Sequence, residues 1–387
     1  VIGVATSVLG WLLAVLAVCG VVYTAMTGGL VLRFFYSGQV PARKTDLDAA
    51  PTTVTLLKPL HGAEAGLRQN LAAHFFQNAP NSIQIIFGVQ NPADPAIAIA
   101  QDVIAEHPES AALLAIGDGG EGANRKIANL IQMADHATGE VLILCDSDIG
   151  PPPDHATRVL AALAEPGVGI VTCPYYGRGE TGFWSTLAAM GLSYQFLPSV
   201  LTGVSLGMAT PCMGSTIALR RETLATIGGF GAFRDVLADD YAMGAAVRAL
   251  GQTSVVAPVL VSHSCTETSL SEVFAHELRW ARTVKGVDPA GHGGSVVTHP
   301  VPLALLAALL LGLQPFPLLL LALAVAVRLM LGCVADRVIG RSSGPLWMLP
   351  LRDMLSFAVF VGSFLGQAVV WRGEKFHVTA DGDLSPV

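Results

Sequence analysis

Asp146-Ser147-Asp148 is the stretch of this 387-residue chain whose residue types and spacing most directly invite chemistry. An apolar run, Val141 to Cys145, ends abruptly in these two carboxylates. At an extended chain end, residues two apart project to the same side of the backbone. Two converging carboxylates suit a hard divalent cation, which in turn suits a diphosphate. Such a cation would neutralise a leaving diphosphate as a Lewis acid. The sequence holds its own controls, Asp46-Leu47-Asp48 and Asp381-Gly382-Asp383. Both lie in polar, unpatterned segments and read as linker and tail. A second acidic pair, Asp239 and Asp240 in "VLADDYAMG", precedes a helical run from Tyr241 to Leu250. Helix capping and dipole compensation explain such a pair as readily as function does. A carboxylate left free beside a metal-bound sugar would be a good general base. The third element is "TSLSEVFAHELRWART". Ser269 and Glu272 have capping-box spacing, so a helix starts there. His276, Arg279 and Trp280 then share one helix face. An Arg beside a Trp can hold a phosphate through paired hydrogen bonds and a sugar or lipid head group by stacking. An interfacial anchor at a membrane surface accounts for the same pair.

The elements that must position these residues alternate in type. "VTLLKPLHG" reads as a buried first strand ending at Pro59 and Gly62, and Gly66 to Gln77 has helical spacing. Ile83 to Val89 is a second strand opening into a loop that carries Asp94. Pro95 to Ala105 is helical, "ALLAIG" (Ala112 to Gly117) is a third strand, "NRKIANLIQMADHA" is helical, and "EVLILCDSD" is a fourth strand. Strands alternating with helices argue for an α/β domain with a largely parallel sheet. In such a sheet ligands bind beyond the carboxyl ends of the strands, which is where Asp146 and Asp148 emerge.

Composition sets the surroundings. The chain is 52% hydrophobic and 13% charged, with mean hydropathy +0.56, whereas soluble domains carry about a quarter charged residues. Ile2 to Leu32, Val301 to Val327 and Met354 to Trp371 contain no charged residue. Each approaches or exceeds the roughly 20 residues of a membrane-spanning helix. The first reads as a retained anchor rather than a cleaved signal, for want of a basic start and a small-residue cleavage site. Arg33, Arg43 and Lys44 follow it and place the middle portion on the cytoplasmic side. The run from Val301 is too long for one helix, and its Gln314-to-Pro317 break predicts a hairpin, with Arg337, Arg341 and Arg352 facing the cytoplasm. Phe196 to Met213 is nearly uncharged but interrupted by Pro198, Gly203, Gly207 and Pro211. It reads as a core segment or as an interfacial one giving lipids a route to the site. A net charge of −7 without a basic stripe argues against nucleic acid. Six scattered cysteines without a C-x-x-C pair argue against a zinc site or disulfide framework.

In order along the chain, "VQNPADPA", "CDSD", "ADDY" and "HELRW" resemble the motifs of the ceramide glucosyltransferase family, inverting membrane glycosyltransferases. The resemblance runs from about Val54 through Val284, with a looser echo in "WRGEKFHV"; "LLKPLHG" and "NRKIANL" also look like family segments. It implies an α/β fold of the GT-A type, Rossmann-like and mostly parallel, with transmembrane helices at both ends. The implied division is an anchor at 1–35, a cytoplasmic catalytic domain at 36–299, membrane helices at 300–373 and a tail at 374–387. The resemblance also implies roles. Asp94 contacts uridine, Asp146 and Asp148 hold Mg²⁺ or Mn²⁺ on the diphosphate, and Asp240 deprotonates the acceptor hydroxyl. Arg279 and Trp280 bind the diphosphate and shape the acceptor site, and Lys126 contacts the nucleotide. Asp239 and His276 stay open; His276 stands where the family has Gln or Arg. The full Asp-Ser-Asp differs from the Asp-Ser-Gly of animal ceramide enzymes and resembles more closely a bacterial branch that transfers a sugar to hopanoids.

The sequence therefore predicts an enzyme of the bacterial inner membrane that moves a sugar from a UDP-sugar to a lipid hydroxyl with inversion. The preferred pair is bacteriohopanetetrol with UDP-N-acetylglucosamine, ahead of ceramide with UDP-glucose. A transporter is the rival from another class, but the apolar segments carry few polar residues to line a path. A non-catalytic nucleotide-sugar-binding protein is a second, and it would need the metal carboxylates but no base at Asp240. A polysaccharide synthase, the third, would need more membrane helices to form a pore.

Overall fold

A computed structural model of the chain describes residues 2–37, 53–78, 83–117, 122–366, 368–371, 374–378 and 384–386. The segments holding Arg43, Lys44 and the two control Asp-x-Asp copies lie outside the described residues. The chain divides into two units: Gly38–Glu180 with Leu206–Thr266, and Val1–Ser37 with Thr181–Ser205 and Glu267–Val387. Residues 181–205 and 267–299, expected in the catalytic domain, thus group with the terminal helices.

The first unit is built on β1 (Val54–Pro59), β2 (Ile83–Val89), β3 (Ala112–Ile116) and β4 (Val141–Leu144), the four strands that the apolar runs predict. They are followed by β5 (Ile149–Gly150), β6 (Val168–Thr172), β7 (Tyr175–Gly179), β8 (Ile217–Arg220), β9 (Thr253–Val256) and β10 (Val261–Cys265). Seven of them form one sheet in the order β3-β2-β1-β4-β8-β6-β9. All neighbours are parallel except β8, which runs antiparallel to β4 and β6. The expected α/β class with a mostly parallel sheet is present. A second sheet, β5-β10-β7, begins where the Asp146–Asp148 turn ends.

Both faces of the large sheet are buried, which is why its strands read as unbroken apolar runs. Val54, Leu56, Ile85, Phe87 and Ile143 pack on one face with the helices Leu67–Ala72, Ala96–Ala105 and His155–Ala164. Leu57, Ile86, Leu142 and Leu144 pack on the other with Ile127, Leu130 and Met133 of the helix Arg125–Ala134. Full burial of each large aliphatic contributes about 1.5–3 kcal/mol. The helix Arg125–Ala134 can seat this closely because β2 offers Gly88, where a Cβ would lie 2.5 Å from Met133 Cγ.

Among its described residues the second unit contains four helices long and apolar enough to cross a membrane: Val4–Tyr36, Phe183–Ser205, Pro315–Ile339 and Leu346–Ser363. A bent pair, Pro289–Thr298 and Pro300–Leu310, meets at 67°. The predicted break after the Val301 run is there: Gly312 and Leu313 have positive φ and Pro315 opens the next helix. The arm before the break has only 11 residues, about 16 Å, too short to span alone. Three expectations are corrected. The last apolar segment is helical only to Ser363, and Ala368–Trp371 is a strand paired with Glu374–Val378. Residues 183–205 supply a span-length helix, passing through a π-helical turn at Leu192–Phe196. Its eight hydroxyl and amide residues kept it from reading as a span in the sequence. Arg352 does not face solvent; it is buried, donates to Leu187 O at 2.9 Å and pairs with Glu277.

Candidate active site

β4 ends at Leu144, and the chain turns through Asp146, Ser147 and Asp148 into β5. The predicted site residues gather around this turn in part. Lys126 Nζ lies 2.9 Å from Asp146 Oδ1 and 3.3 Å from Asp239 Oδ2. Lys126 is placed by its helix start, where the Asn124 side chain accepts from Lys126 N and Ile127 N at 3.0 and 3.2 Å. The same Asn124 donates through Nδ2 to Asp239 Oδ1 at 3.1 Å. Asp239 is therefore a buried partner that ties two helix starts together. Asp240, one residue on, is only half-buried: Oδ2 accepts from Gly214 N at 2.9 Å and Oδ1 from Tyr241 N at 2.7 Å.

Gly214 separates Asp240 from the Asp146 turn. A Cβ there would sit 2.7 Å from Asp146 Oδ2, 3.0 Å from Lys126 Nζ and 3.5 Å from Asp240 Oδ2. A side chain at 214 would fill the cradle onto which the three groups converge. On the other side of the turn, Asp148 Oδ2 lies 3.2 Å from His263 Nε2. His263 comes from β10 and stacks on Tyr175 of β7, with ring centroids 5.6 Å apart.

These contacts set the charge states. Burial would lower the Lys126 ammonium, but Asp146, Asp239 and Asp240 override it and hold the group well above its usual range. Burial raises the Asp146 carboxyl, Lys126 opposes that rise, and Asp148 adds to it. Burial likewise opposes the protonated form of His263, and the Asp148 carboxylate outweighs it, raising the imidazole well above its usual range. Burial and then Asp239 push Asp240 up to about 6, against Lys126 and two backbone N–H groups. A carboxylate poised near neutrality is suited to accept a proton.

Other predicted residues lie in other groups. Asp94 accepts from Gly62 N at 2.9 Å and Ala96 N at 2.9 Å, fastening the end of β1 to the helix Ala96–Ala105, with His61 Nδ1 at 3.3 Å. His276, Arg279 and Trp280 belong to the second unit, on the helix Leu270–Val287. Ser269 caps that helix by accepting from Glu272 N at 3.2 Å, and Glu272 reaches back to Thr268 N at 2.7 Å. The expected common face is present. His276 packs on Trp280 at 4.2 Å between ring centroids, and Arg279 Cζ lies 6.0 Å from the Trp280 ring centre. His276 Nδ1 meets Glu267 Oε1 at 2.7 Å, so the ring is held between Glu267 and Trp280.

Residues 12–384 match the family described as "Glycosyl transferase family 21". The chain belongs to glycosyl transferase family 21. Two relatives from Caenorhabditis elegans, ceramide glucosyltransferases 1 and 3, are each 22% identical over 367 residues. The alignment covers 92% of this chain and 78% and 79% of theirs. Among solved structures, a mannosyltransferase from Pyrobaculum calidifontis in complex with GDP-Man and Mn²⁺ is similar, with TM-score 0.47 and 21% identity, covering 90% of this chain and 99% of that one. The expected enzyme class, a UDP-sugar glycosyltransferase, is met at the level of the family.

For a family 21 enzyme the donor set at the Asp146 turn can be tested for a divalent cation. Among the described residues no group of three or more His, Cys, Asp or Glu side chains has a metal-holding arrangement. Among the described residues the protein donors would then be Asp146 and Asp148. That fits Mg²⁺ or Mn²⁺, which take one or two carboxylates and complete their shells with phosphate oxygens and water. The open cradle at Gly214 is consistent with this. Sequence reasoning missed Asn124, Gly214, His263 and Lys58. Only Lys58 left a local signal, as a lysine inside an apolar strand.

Proposed function

We propose that the chain is an inverting, membrane-bound glycosyltransferase that transfers a sugar from a UDP-sugar to a hydroxyl of a membrane lipid. The observation that carries this reading is the convergence on Gly214. Asp240 and the Asp146 carboxylate both lie within 3.5 Å of a Cβ position that glycine leaves open. An acceptor hydroxyl reaching Asp240 would thus stand beside the end of a donor diphosphate held at Asp146.

In this reading Asp240 accepts the proton of the acceptor hydroxyl, the oxygen attacks the anomeric carbon, and UDP departs. One displacement turns an α-linked donor into a β-glycoside. Lys126 holds Asp146 and Asp239 in place and presents positive charge to the nucleotide. Asp94 contacts the uridine, and Arg279 and Trp280 carry the diphosphate- and acceptor-binding roles of the family pattern. Asp146 and Asp148 would hold Mg²⁺ or Mn²⁺, which when bound supplies Lewis-acid stabilisation of the leaving diphosphate. Four span-length helices support a bilayer location. Arg33, near the C-terminal end of the first of them, supports a catalytic unit on the cytoplasmic face of a bacterial inner membrane.

The preferred acceptor is a hopanoid, bacteriohopanetetrol, with UDP-N-acetylglucosamine as donor, on the strength of the Asp-Ser-Asp pair. Ceramide with UDP-glucose is the second reading, and the two worm relatives favour it. The test is detergent-purified protein with each donor, each lipid and Mg²⁺ or Mn²⁺, read by the mass of the lipid product. A hexosamine on the hopanoid supports the first pair and a hexose on ceramide the second. Absence of any glycolipid product would refute the lipid acceptor.

A further inference from the structure

The turn that carries the two carboxylates is held from outside by more bonds than a tight turn needs. Internally, Ile149 N closes on Asp146 O at 3.1 Å. Beyond that, each of the four carbonyls from 146 to 149 receives a donor from a distant part of the chain. Lys58 Nζ donates to Asp146 O at 2.7 Å and to Ile149 O at 2.8 Å. Asn70 Nδ2 donates to Ser147 O at 3.3 Å. Ser264 N donates to Asp148 O at 2.8 Å. The donors come from β1, from the helix Leu67–Ala72 and from β10.

Neither side-chain donor is available to a ligand. Lys58 is fully buried, and its remaining N–H faces Cys145 Sγ at 3.9 Å. An ammonium has three donors, so all are used. Asn70 is also fully buried; its Oδ1 accepts from Arg178 Nη2 at 2.9 Å, and its Nδ2 also reaches Ser264 Oγ at 3.1 Å.

We propose that Lys58 and Asn70 are positioning residues for Asp146 and Asp148, clamping the backbone of their turn so that both carboxylates are presented together before a cation and diphosphate arrive. The proposal rests on the reading of Asp146 and Asp148 as metal ligands. Its physical basis is that two like charges two residues apart repel. An unanchored turn would rotate its peptide planes to separate them. Here each such rotation would break a hydrogen bond to the turn, and the two from Lys58 are charge-assisted. The ammonium also places a positive charge beneath the pair, which offsets the repulsion. A neutral side chain in the same space could do neither.

The experiment uses the full-length protein in detergent, with Lys58→Met, Asn70→Ala and Asp148→Asn. Free Mn²⁺ is measured by electron paramagnetic resonance during titration with UDP present, alongside thermal unfolding of the metal-free proteins and kcat and KM at varied Mn²⁺. Loss of an outer-shell partner typically costs 10–100-fold in metal affinity. Lys58→Met, which removes two bonds to the turn, should raise half-saturating Mn²⁺ by about that factor. Its kcat should recover in excess Mn²⁺, with acceptor KM unchanged. Asn70→Ala removes one such bond and should shift in the same direction by less. A merely structural role would lower the unfolding temperature without moving Mn²⁺ affinity. Should Lys58→Met fail to fold, Asn70→Ala decides alone: an affinity equal to wild type overturns the clamp. If Asp148→Asn binds Mn²⁺ as the wild type does, the metal reading is overturned and the clamp with it. Asp148-dependent binding that both positioning variants leave unmoved overturns the clamp alone.

Discussion

If Asp240 is the base, the rate must follow the population of its carboxylate. Burial and Asp239 push its pKa up to about 6, whereas an ordinary aspartate titrates near ~3.9. Activity should therefore be lost as pH falls through about 6 and be full above about 7. A group with that pKa is about 9% ionised at pH 5 and about 91% at pH 7, so kcat/KM should rise roughly tenfold between them. An unperturbed aspartate would be about 90% ionised at pH 5 already, giving a nearly flat profile. The assay is the initial rate of lipid product at subsaturating UDP-sugar, with Mn²⁺ saturating at every pH. Asp240→Asn should lower the rate by about 10²–10⁴-fold and flatten what remains. Lys126→Met removes a charge that opposes the upward shift, so the inflection should move to higher pH. A flat wild-type profile between pH 5 and 7, or an inflection that survives in Asp240→Asn, refutes the assignment.

Other substitutions probe separate parts of the same picture. Gly214→Ala should reduce kcat/KM by about 10–100-fold with little loss of stability, because the new methyl group displaces Asp146 and Lys126 rather than core atoms; steady-state kinetics and thermal unfolding check the two halves. Arg279→Lys keeps the charge but loses the planar fork, and should raise KM for the UDP-sugar about tenfold in an initial-rate assay. Within the helical unit, Arg328 grips Asp353 through two bonds of 2.8 and 2.6 Å, both side chains buried. Asp353→Leu should cost about 3–5 kcal/mol in detergent unfolding by stranding the arginine, and adding Arg328→Met should recover most of it.

The parallel half of the sheet was legible because each strand is an apolar run closed by a turn signal, and the helices between carry one-sided apolar spacing. Asp146 and Asp148 were legible for the same reason: a buried strand cannot end in two carboxylates without consequence. β8 was not, since an antiparallel strand inserted between β4 and β6 obeys no local rule that marks its partners. The span-length helix at 183–205 escaped because Ser185, Thr186, Ser193, Tyr194, Gln195, Ser199 and Thr202 dilute its hydropathy. They bond within the helical unit instead, as Thr202 Oγ1 does with Thr27 Oγ1 at 3.0 Å and Tyr194 Oη with Asp336 Oδ1 at 2.6 Å. His263 lies more than a hundred residues beyond Asp148, and only the register of β10 against β5 brings them together.

The charges that were legible and those that were not form one electrostatic unit. Asp146, Asp148, Asp239 and Asp240 gather around one turn, and in isolation their repulsion would favour protonating one of them. Lys126 faces Asp146 and Asp239, His263 faces Asp148, and Lys58 lies beneath the turn. Asp240 has no ion-pair partner among the described residues, and backbone N–H groups meet its oxygens. The interleaved cations offset the repulsion among the other carboxylates. Burial and then Asp239 push the Asp240 carboxyl up to about 6, which suits it to take up a proton near neutrality.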